Sequence, residues 1–346
     1  MSMIPSSEVK TKPAVVTPQE SSVDEQSYRM VALDLDGTLL HSDHKMSTDT
    51  RDYLCQLDQR GFTVVIATGR SATTVYEQVE HLNLPHPLPV VCSNGSRGLL
   101  CSVDGPGKIS SQELFSYPVP ESIARKTIAL TKELGYVSQY YVGEHIYADP
   151  RQAHHLELTE LYMKLTGSKT IYVEDDFEAV MKLGLPSKQL VFCRPEEQDA
   201  MVEAFQIAFR DEAYLIRGKS ATIIRGNLGW FLEILHPEVC KGFGLKSMCQ
   251  HLNIPIQDVV AFGDGDNDYE FIQMAGKGIV MKNGGDVCKK VADEVIDFTN
   301  NEDGVLKTLQ RMEMEGALVF PTKWQVSIAR KNDECMNTRM VSHQWK

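Results

Sequence analysis

The chain has 346 residues, of which 42% are hydrophobic and 24% are charged, and its formal net charge is −12. This composition is that of a soluble globular protein with room for about two domains, and the acidic balance argues against nucleic acid or an anionic membrane as the main partner. Eight scattered cysteines without paired spacing predict reduced thiols and a cytoplasmic location. The first 28 residues lack the apolar core of a secretory signal.

From residue 28 to 103, short apolar runs alternate with helix-like stretches. Such alternation predicts a parallel sheet covered by helices on both faces. Strands are expected over 30–34, 62–67 and 90–92, and helices over 47–60 and 71–82. A hairpin is expected over 96–115, because the glycines and proline at 104–107 are typical of a turn.

The middle of the chain, up to about residue 227, has a mixed order of elements and is long enough to form a small domain. Pro118 and Pro120 are expected to mark a hinge before it. The predicted helices are 121–134, 152–166, 176–183 and 196–210. The predicted strands are 136–142, 145–148, 170–173, 189–193, 214–216 and 222–224.

The alternation of strands and helices returns after this segment. Strands are expected over 230–235, 259–262, 278–281 and 294–297, and helices over 243–252, 269–275, 286–292 and 303–314. The predicted fold class is therefore α/β, with a Rossmann-like parallel-sheet core formed by 29–118 and 228–314. An α+β cap over 119–227 interrupts this core, and tails at 1–28 and 315–346 flank it without an assigned role.

The first predicted strand ends in two carboxylates, those of Asp34 and Asp36. Residues at positions i and i+2 of an extended backbone project in the same direction. The pair therefore places a nucleophile and a proton-transfer group side by side, as phosphoryl transfer requires. Gly37 permits a tight backbone exit and Thr38 can cap the following turn. A surface Asx-turn is the alternative for this short motif.

Two further strand ends carry polar groups, and ligands of open parallel sheets bind at these ends. Thr68 and Gly69 offer a hydroxyl and backbone N–H groups at a helix start, which suits an anion, although a plain N-cap would look similar. Residues 263–268 carry four acidic or amide side chains, including Asp264 and Asp268. These suit a hard cation. A calcium loop is the rival interpretation, but the further carboxylate of an EF-hand is missing.

Lys241 lies at a predicted helix start, where a positive charge adds to the positive end of the helix dipole. A residue that is locally unfavourable for helix stability, with no evident structural benefit, is typical of a functional site.

Together these motifs resemble the haloacid dehalogenase-like hydrolase superfamily, and more narrowly the Cof-type phosphatases with a large α/β cap (type IIB). The resemblance covers about residues 29–314. It rests on the ordered segments 33–40, 67–70, 93–95, 232–234, 241–242, 263–268, 283–284 and 301–305. The Asn-Gly pair at 283–284 stands where Asn-Ala is more usual in the family, and this exchange removes no chemical group.

The resemblance implies a role for each motif. Asp34 would attack phosphorus and form an aspartyl-phosphate, and Asp36 would serve as acid and then as base. Mg²⁺ would be bound by Asp34, Asp36 through its backbone carbonyl, and Asp264, with Asp268 as a supporting group. The groups expected to hold the phosphoryl oxygens are Leu35 (through its backbone), Thr68, Gly69, Lys241 and Asn267.

The expected activity is Mg²⁺-dependent hydrolysis of small phosphorylated metabolites, above all sugar phosphates. A phosphomannomutase-like phosphosugar mutase and a catalytically silent sensor of phosphorylated metabolites are the alternatives. The expected partner is a small phosphorylated substrate, with no nucleic acid and no membrane, and the expected state is a monomer or weak homo-oligomer.

Overall fold

The computed structural model describes residues 27–174, 177–219, 229–320 and 341–344. Most of the predicted N-terminal tail and the predicted strand over 222–224 lie outside these residues. The strands are β1 (Met30–Leu33), β2 (Thr63–Ala67), β3 (Leu88–Cys92), β4 (Arg97–Gly105), β5 (Lys108–Ser116), β6 (Val137–Val142), β7 (His145–Ala148), β8 (Thr170–Tyr172), β9 (Lys188–Phe192), β10 (Tyr214–Lys219), β11 (Gly229–Leu235), β12 (Val259–Gly263), β13 (Lys277–Val280), β14 (Glu294–Val295) and β15 (Val341–Gln344).

The helices lie close to their predicted positions, because cap residues and apolar spacing define them well. Ser47 caps the first helix by accepting a hydrogen bond from the Thr50 N–H at 3.1 Å. The helices are α1 (Thr48–Gln59), α2 (Ala72–Leu82), α3 (Glu121–Glu133), α4 (Ala153–Thr166), α5 (Phe177–Met181), α6 (Gln198–Phe209), α7 (Lys241–Leu252), α8 (Tyr269–Met274), α9 (Asp286–Lys289) and α10 (Gly304–Met314).

The larger sheet has nine strands in the order β14-β13-β12-β1-β2-β3-β4-β5-β15. The strands from β14 to β3 are parallel, and β4, β5 and β15 extend the sheet in antiparallel fashion. The central strand β1 is fully buried and has apolar clusters on both faces. This arrangement explains why its sequence is a continuous apolar run. The predicted α/β class with a parallel-sheet core is confirmed.

The smaller sheet has six strands in the order β10-β11-β9-β6-β7-β8. The alternation of elements predicts a core strand over 230–235, whereas the structure places β11 in this second sheet, antiparallel to β9 and β10. The apolar pattern of a strand does not indicate which of two sheets the strand belongs to. Here Trp230 stacks on Phe192 with ring centroids 5.4 Å apart, and Leu232 packs in a separate apolar cluster of the smaller sheet. The predicted start of the second core segment at residue 228 is therefore too early.

Part of the predicted C-terminal tail packs against the larger sheet. Leu318 is buried, and its neighbour Val319 donates a backbone hydrogen bond to Tyr28 at 2.8 Å. The Phe320 ring lies beside Phe62 at 5.8 Å, with the Arg60 guanidinium over its face. Apolar residues inside a polar segment were the available signal for this contact. Among the described residues, no helix is long and apolar enough to cross a membrane.

Burial of Leu232 predicts that Leu232→Ala lowers the free energy of unfolding by about 2–5 kcal/mol, through lost transfer energy and a cavity. Leu183→Ala is the matched control, because Leu183 is 64% exposed, and a change of less than ~0.5 kcal/mol is expected for it. Urea unfolding followed by circular dichroism checks both. Equal losses of unfolding free energy in the two variants would contradict the burial of Leu232 in β11.

Candidate active site

The register of the larger sheet brings two acidic segments together at its carboxyl edge. Leu33 of β1 pairs with Phe262 of β12, and the Asp34 N–H donates to the Phe262 carbonyl at 3.0 Å. Asp34 therefore emerges next to the loop that carries Asp264. Parallel neighbouring strands thus convert two distant sequence motifs into one site.

Lys241 lies between two carboxylates at the centre of this site. Its Nζ donates to Asp34 Oδ1 at 2.7 Å and also to Asp268 Oδ1. The Lys241 and Asp268 side chains are fully buried, and that of Asp34 is nearly so. Burial alone would lower the pKa of Lys241, but the two carboxylates outweigh it and raise that pKa. Lys241 is therefore a fixed positive charge.

Asp34 itself is strongly destabilised as a carboxylate. Burial raises its pKa well above the usual range, and the charges of Asp268 and Asp264 add to this rise. Lys241 compensates only in part. Three carboxylates around one ammonium leave an excess of negative charge, which suits a bound cation.

Asp264 occupies space that only a glycine at position 37 leaves open. A Cβ built on Gly37 would lie 2.3 Å from Asp264 Oδ2, and Gly37 has a φ of +84°. Thr38 Oγ1 donates to Asp264 Oδ1 at 2.9 Å. Burial and the charge of Asp268 raise the pKa of Asp264 to about 7. The two residues after the carboxylate pair thus place and orient the third acidic group.

The donor set fits a hard divalent cation. One carboxylate oxygen from each of Asp34, Asp264 and Asp268 lies within 4.8 Å of the other two, and oxygen ligands are what Mg²⁺ prefers. Both oxygens of Asp268 already have donors: Oδ1 accepts from Lys241, and Oδ2 accepts from the N–H groups of Asp264 and Gly265 at 3.0 and 2.9 Å. Asp268 is therefore better suited to support the loop than to bind metal directly.

Asp36 has a different environment from Asp34. Its side chain is 45% exposed. The Arg70 guanidinium donates to both of its oxygens, through Nε at 2.7 Å to Oδ2 and through Nη2 to Oδ1. His44 Nδ1 lies 3.2 Å from the same carboxylate. Burial raises the pKa of Asp36, but the hydrogen bonds and charge of Arg70, aided by His44, outweigh it and lower that pKa.

The predicted phosphate-binding residues form a second group beside the carboxylates. Thr68 is buried, and its Oγ1 accepts from the Arg70 N–H at 3.2 Å. Gly69 packs on Asn94, whose Oδ1 would lie 2.9 Å from a Cβ at position 69. Asn267 Nδ2 donates to the same Asn94 oxygen at 2.9 Å. Asn94 thus joins the loop after β2 to the loop after β12.

Leu35 differs from these residues in its environment. Its side chain is buried in the core. Its carbonyl accepts hydrogen bonds from the N–H groups of Thr38 and Leu40, at 3.3 and 2.8 Å. These bonds fix the turn after Asp34, and the suggested use of the Leu35 N–H stays a prediction.

Several polar residues of the site are absent from the predicted set. Arg70 and Asn94 lie inside the motifs that carry the family resemblance, so their positions were visible in the sequence although their contacts were not. Two others come from the second sheet: Lys188 of β9 and Glu233 of β11, which form an ion pair at 3.1 Å. The only signal for Lys188 was a lysine at the edge of an apolar strand.

Comparison with known proteins gives a family for this architecture. The family model for haloacid dehalogenase-like hydrolases matches residues 31–309. The chain belongs to this family. Relatives with full-length similarity include phosphatase YwpJ of Bacillus subtilis, which is 27% identical over 82% of this chain and 99% of its own.

Two further comparisons agree. The HMP-PP phosphatase of Cronobacter sakazakii is 30% identical over 74% of this chain and 84% of its own. The crystal structure of a HAD/COF-like hydrolase from Plasmodium vivax superposes with a TM-score of 0.69 at 18% identity, over 84% of this chain and 98% of that one. The predictions of a Cof-type member of the superfamily and of an enzyme of the phosphatase class are confirmed.

Removal of the Lys241 charge leaves Asp34 and Asp268 buried without a cation. In metal-free buffer, Lys241→Met is expected to lower the free energy of unfolding by about 3–5 kcal/mol, the usual cost of breaking a buried ion pair. Lys246→Met on the exposed face of the same helix is the control. Urea unfolding with a chelator present measures both, and similar stabilities for the two variants would show that Lys241 is not needed to balance the carboxylates.

Proposed function

We propose that the protein is a Mg²⁺-dependent phosphomonoesterase that hydrolyses small phosphorylated metabolites, above all sugar phosphates, through an aspartyl-phosphate on Asp34. The observation that carries this proposal is the contrast between the two carboxylates after β1. Asp34 is buried against Lys241, whereas Asp36 is half-exposed and held by Arg70. Two neighbouring carboxylates with opposite environments are what a nucleophile and a proton-transfer group require.

In this mechanism Asp34 attacks phosphorus and the leaving oxygen departs with a proton, after which water hydrolyses the acyl-phosphate. Lys241 Nζ donates to Asp34 Oδ1 at 2.7 Å, which restricts the orientation of the carboxylate and leaves Oδ2 as the proposed attacking oxygen. Lys241, Thr68 and Asn267 are positioned to balance the charge of the phosphoryl oxygens.

Asp36 is the proposed proton-transfer group. Arg70 and His44 stabilise its charged form, which favours its role as the base that activates water in the second step. Proton donation to the leaving group in the first step requires that the contact with Arg70 loosen when substrate binds.

The proposed ligands of Mg²⁺ are the carboxylates of Asp34 and Asp264 and the backbone carbonyl of Asp36, with Asp268 behind them. Bound there, the cation would act as a Lewis acid and neutralise part of the negative charge of the phosphoryl group. The space that Gly37 leaves for Asp264 is the structural support for this ligand set.

The size of the substrate is suggested by a cavity between the two sheets. Its volume is about 490 Å³, and it is lined by Gln198, Tyr214 and Arg217 on one side and by Asp266 and Asn267 on the other. A cavity of this volume suits a small metabolite, and its mixture of apolar and polar side chains suits a ligand that carries some hydroxyl groups. A monomeric or weakly associated state and a cytoplasmic location stay predictions.

The first test is phosphate release from a panel of sugar phosphates, nucleotides, pyridoxal phosphate and an aryl phosphate. Wild type with Mg²⁺ is expected to be active. Asp34→Asn is expected to lose activity by a factor on the order of 10³ or more, because it removes the nucleophile. Asp104→Asn at the exposed end of β4 is the control. Activity that survives in Asp34→Asn, or an isomerised sugar phosphate as the product, would refute the proposal.

The ligand set is tested with a pair of glycines that both have positive φ. Gly37→Ala is expected to raise the Mg²⁺ concentration for half-maximal activity by about tenfold or more, since its Cβ would displace Asp264. Gly107→Ala carries a similar backbone penalty, with a φ of +67° and nothing within 4 Å of the added carbon. Magnesium titration of both variants is the measurement. An unchanged requirement in Gly37→Ala would exclude Asp264 as a ligand.

A further inference from the structure

A buried ion pair of the second sheet lies against the proposed phosphate-binding loops. Lys188, at the start of β9, is 1% exposed. Its Nζ donates to the Gly69 carbonyl at 2.9 Å and to Glu233 Oε2 at 3.1 Å. The proposed mechanism uses neither charge of this pair.

The pair is expensive to bury and is not needed to fill space. Replacing a buried ion pair with apolar residues of similar volume is often neutral or stabilising. Burial alone would lower the pKa of Lys188, but Glu233 outweighs it and raises that pKa, so Lys188 remains an ammonium. A buried charge that has two defined hydrogen-bond partners points to a role in orienting those partners.

On one side the pair fixes the backbone of the loop after β2. The Lys188 ammonium holds the Gly69 carbonyl, which belongs to the same peptide group as the Arg70 N–H. That N–H donates to Thr68 Oγ1 at 3.2 Å. Since the hydroxyl oxygen already accepts this bond, its hydrogen is free to donate to a phosphoryl oxygen.

On the other side the pair fixes two amides. Glu233 Oε2 accepts from Asn94 Nδ2 at 2.8 Å. A carboxylate can only accept, so the Asn94 amide has one orientation, with its oxygen toward Asn267. That oxygen in turn accepts from Asn267 Nδ2 at 2.9 Å, which leaves the second N–H of Asn267 for a ligand.

We propose that Lys188 and Glu233 are positioning residues that orient Thr68 and Asn267 toward the phosphoryl group. The inference rests on the proposed function and deepens it. Because β9 and β11 belong to the second sheet, the phosphate-binding donors acquire their orientation only where that sheet is docked on the core. The pair thereby links cap docking to phosphate binding.

The test uses a charge-neutral double variant, Lys188→Met with Glu233→Gln. A glutamine can donate or accept, so Asn94 no longer has a fixed orientation, yet no unpaired charge is buried. The matched control is Lys126→Met with Glu212→Gln, which removes an exposed ion pair of 3.2 Å between α3 and the segment after α6. The measurements are binding of orthovanadate with Mg²⁺ by calorimetry, kcat and KM for an aryl phosphate, and thermal unfolding.

The double variant is expected to unfold within a few degrees of wild type but to bind orthovanadate about 10- to 100-fold more weakly, as a small misplacement of binding groups costs that much. The ratio kcat/KM is expected to fall by a similar factor, while the control matches wild type. Wild-type affinity and kinetics in the double variant would overturn the inference.

If the double variant does not fold, Glu233→Asp is the second variant, because it keeps the charge pair with Lys188 but its shorter side chain withdraws the carboxylate from Asn94 Nδ2. Weaker orthovanadate binding is again expected, and wild-type binding overturns the inference. A wild-type protein that neither hydrolyses phosphomonoesters nor binds orthovanadate refutes the proposed function itself. An active wild type whose variants match it refutes only the role of the pair.

Discussion

The arrangement of the site depends on one buried ammonium, that of Lys241. Asp34, Asp264 and Asp268 converge at the carboxyl edge of the larger sheet, and three carboxylates at this distance cannot remain charged in a dry environment without compensation. Lys241 contacts two of them directly. The helix start that carries it is poorly suited to a positive charge. This unfavourable interaction with the helix dipole accompanies a hydrogen bond that restricts the orientation of Asp34 at the end of β1.

The second sheet takes part in the site as well as covering it. Its Lys188 and Glu233 reach Gly69 and Asn94, two residues of the core loops. A hydrogen-bonded chain therefore runs from β11 of the smaller sheet through Asn94 to the amide of Asn267. On the proposal made above, the second sheet contributes to the wall of the substrate cavity and also supplies the contacts that orient the phosphate-binding groups.

Much of this molecule could be predicted from sequence because its signals are local. Apolar runs, helix caps such as Ser47 and acidic residues at strand ends depend on neighbours in the chain. The sheet membership of β11 could not be predicted, because a largely apolar strand is compatible with a buried position in either sheet. Lys188 could not be predicted either, since its meaning depends on Gly69 and Glu233, which lie 119 and 45 residues away. The contact between Asp36 and Arg70 could not be predicted for the same reason. Both residues lie in recognisable motifs, but only the folded structure shows that they pair.

The central claim is that Asp34 is the residue that receives the phosphoryl group. The most direct measurement is a single-turnover reaction with an aryl phosphate, quenched in acid, reduced with tritiated borohydride and followed by peptide mapping. The label is expected on the peptide that contains Asp34, and reduction is expected to convert that residue to homoserine. Label on a different residue, or rapid phosphate release with no labelled peptide at any time point, would contradict the account.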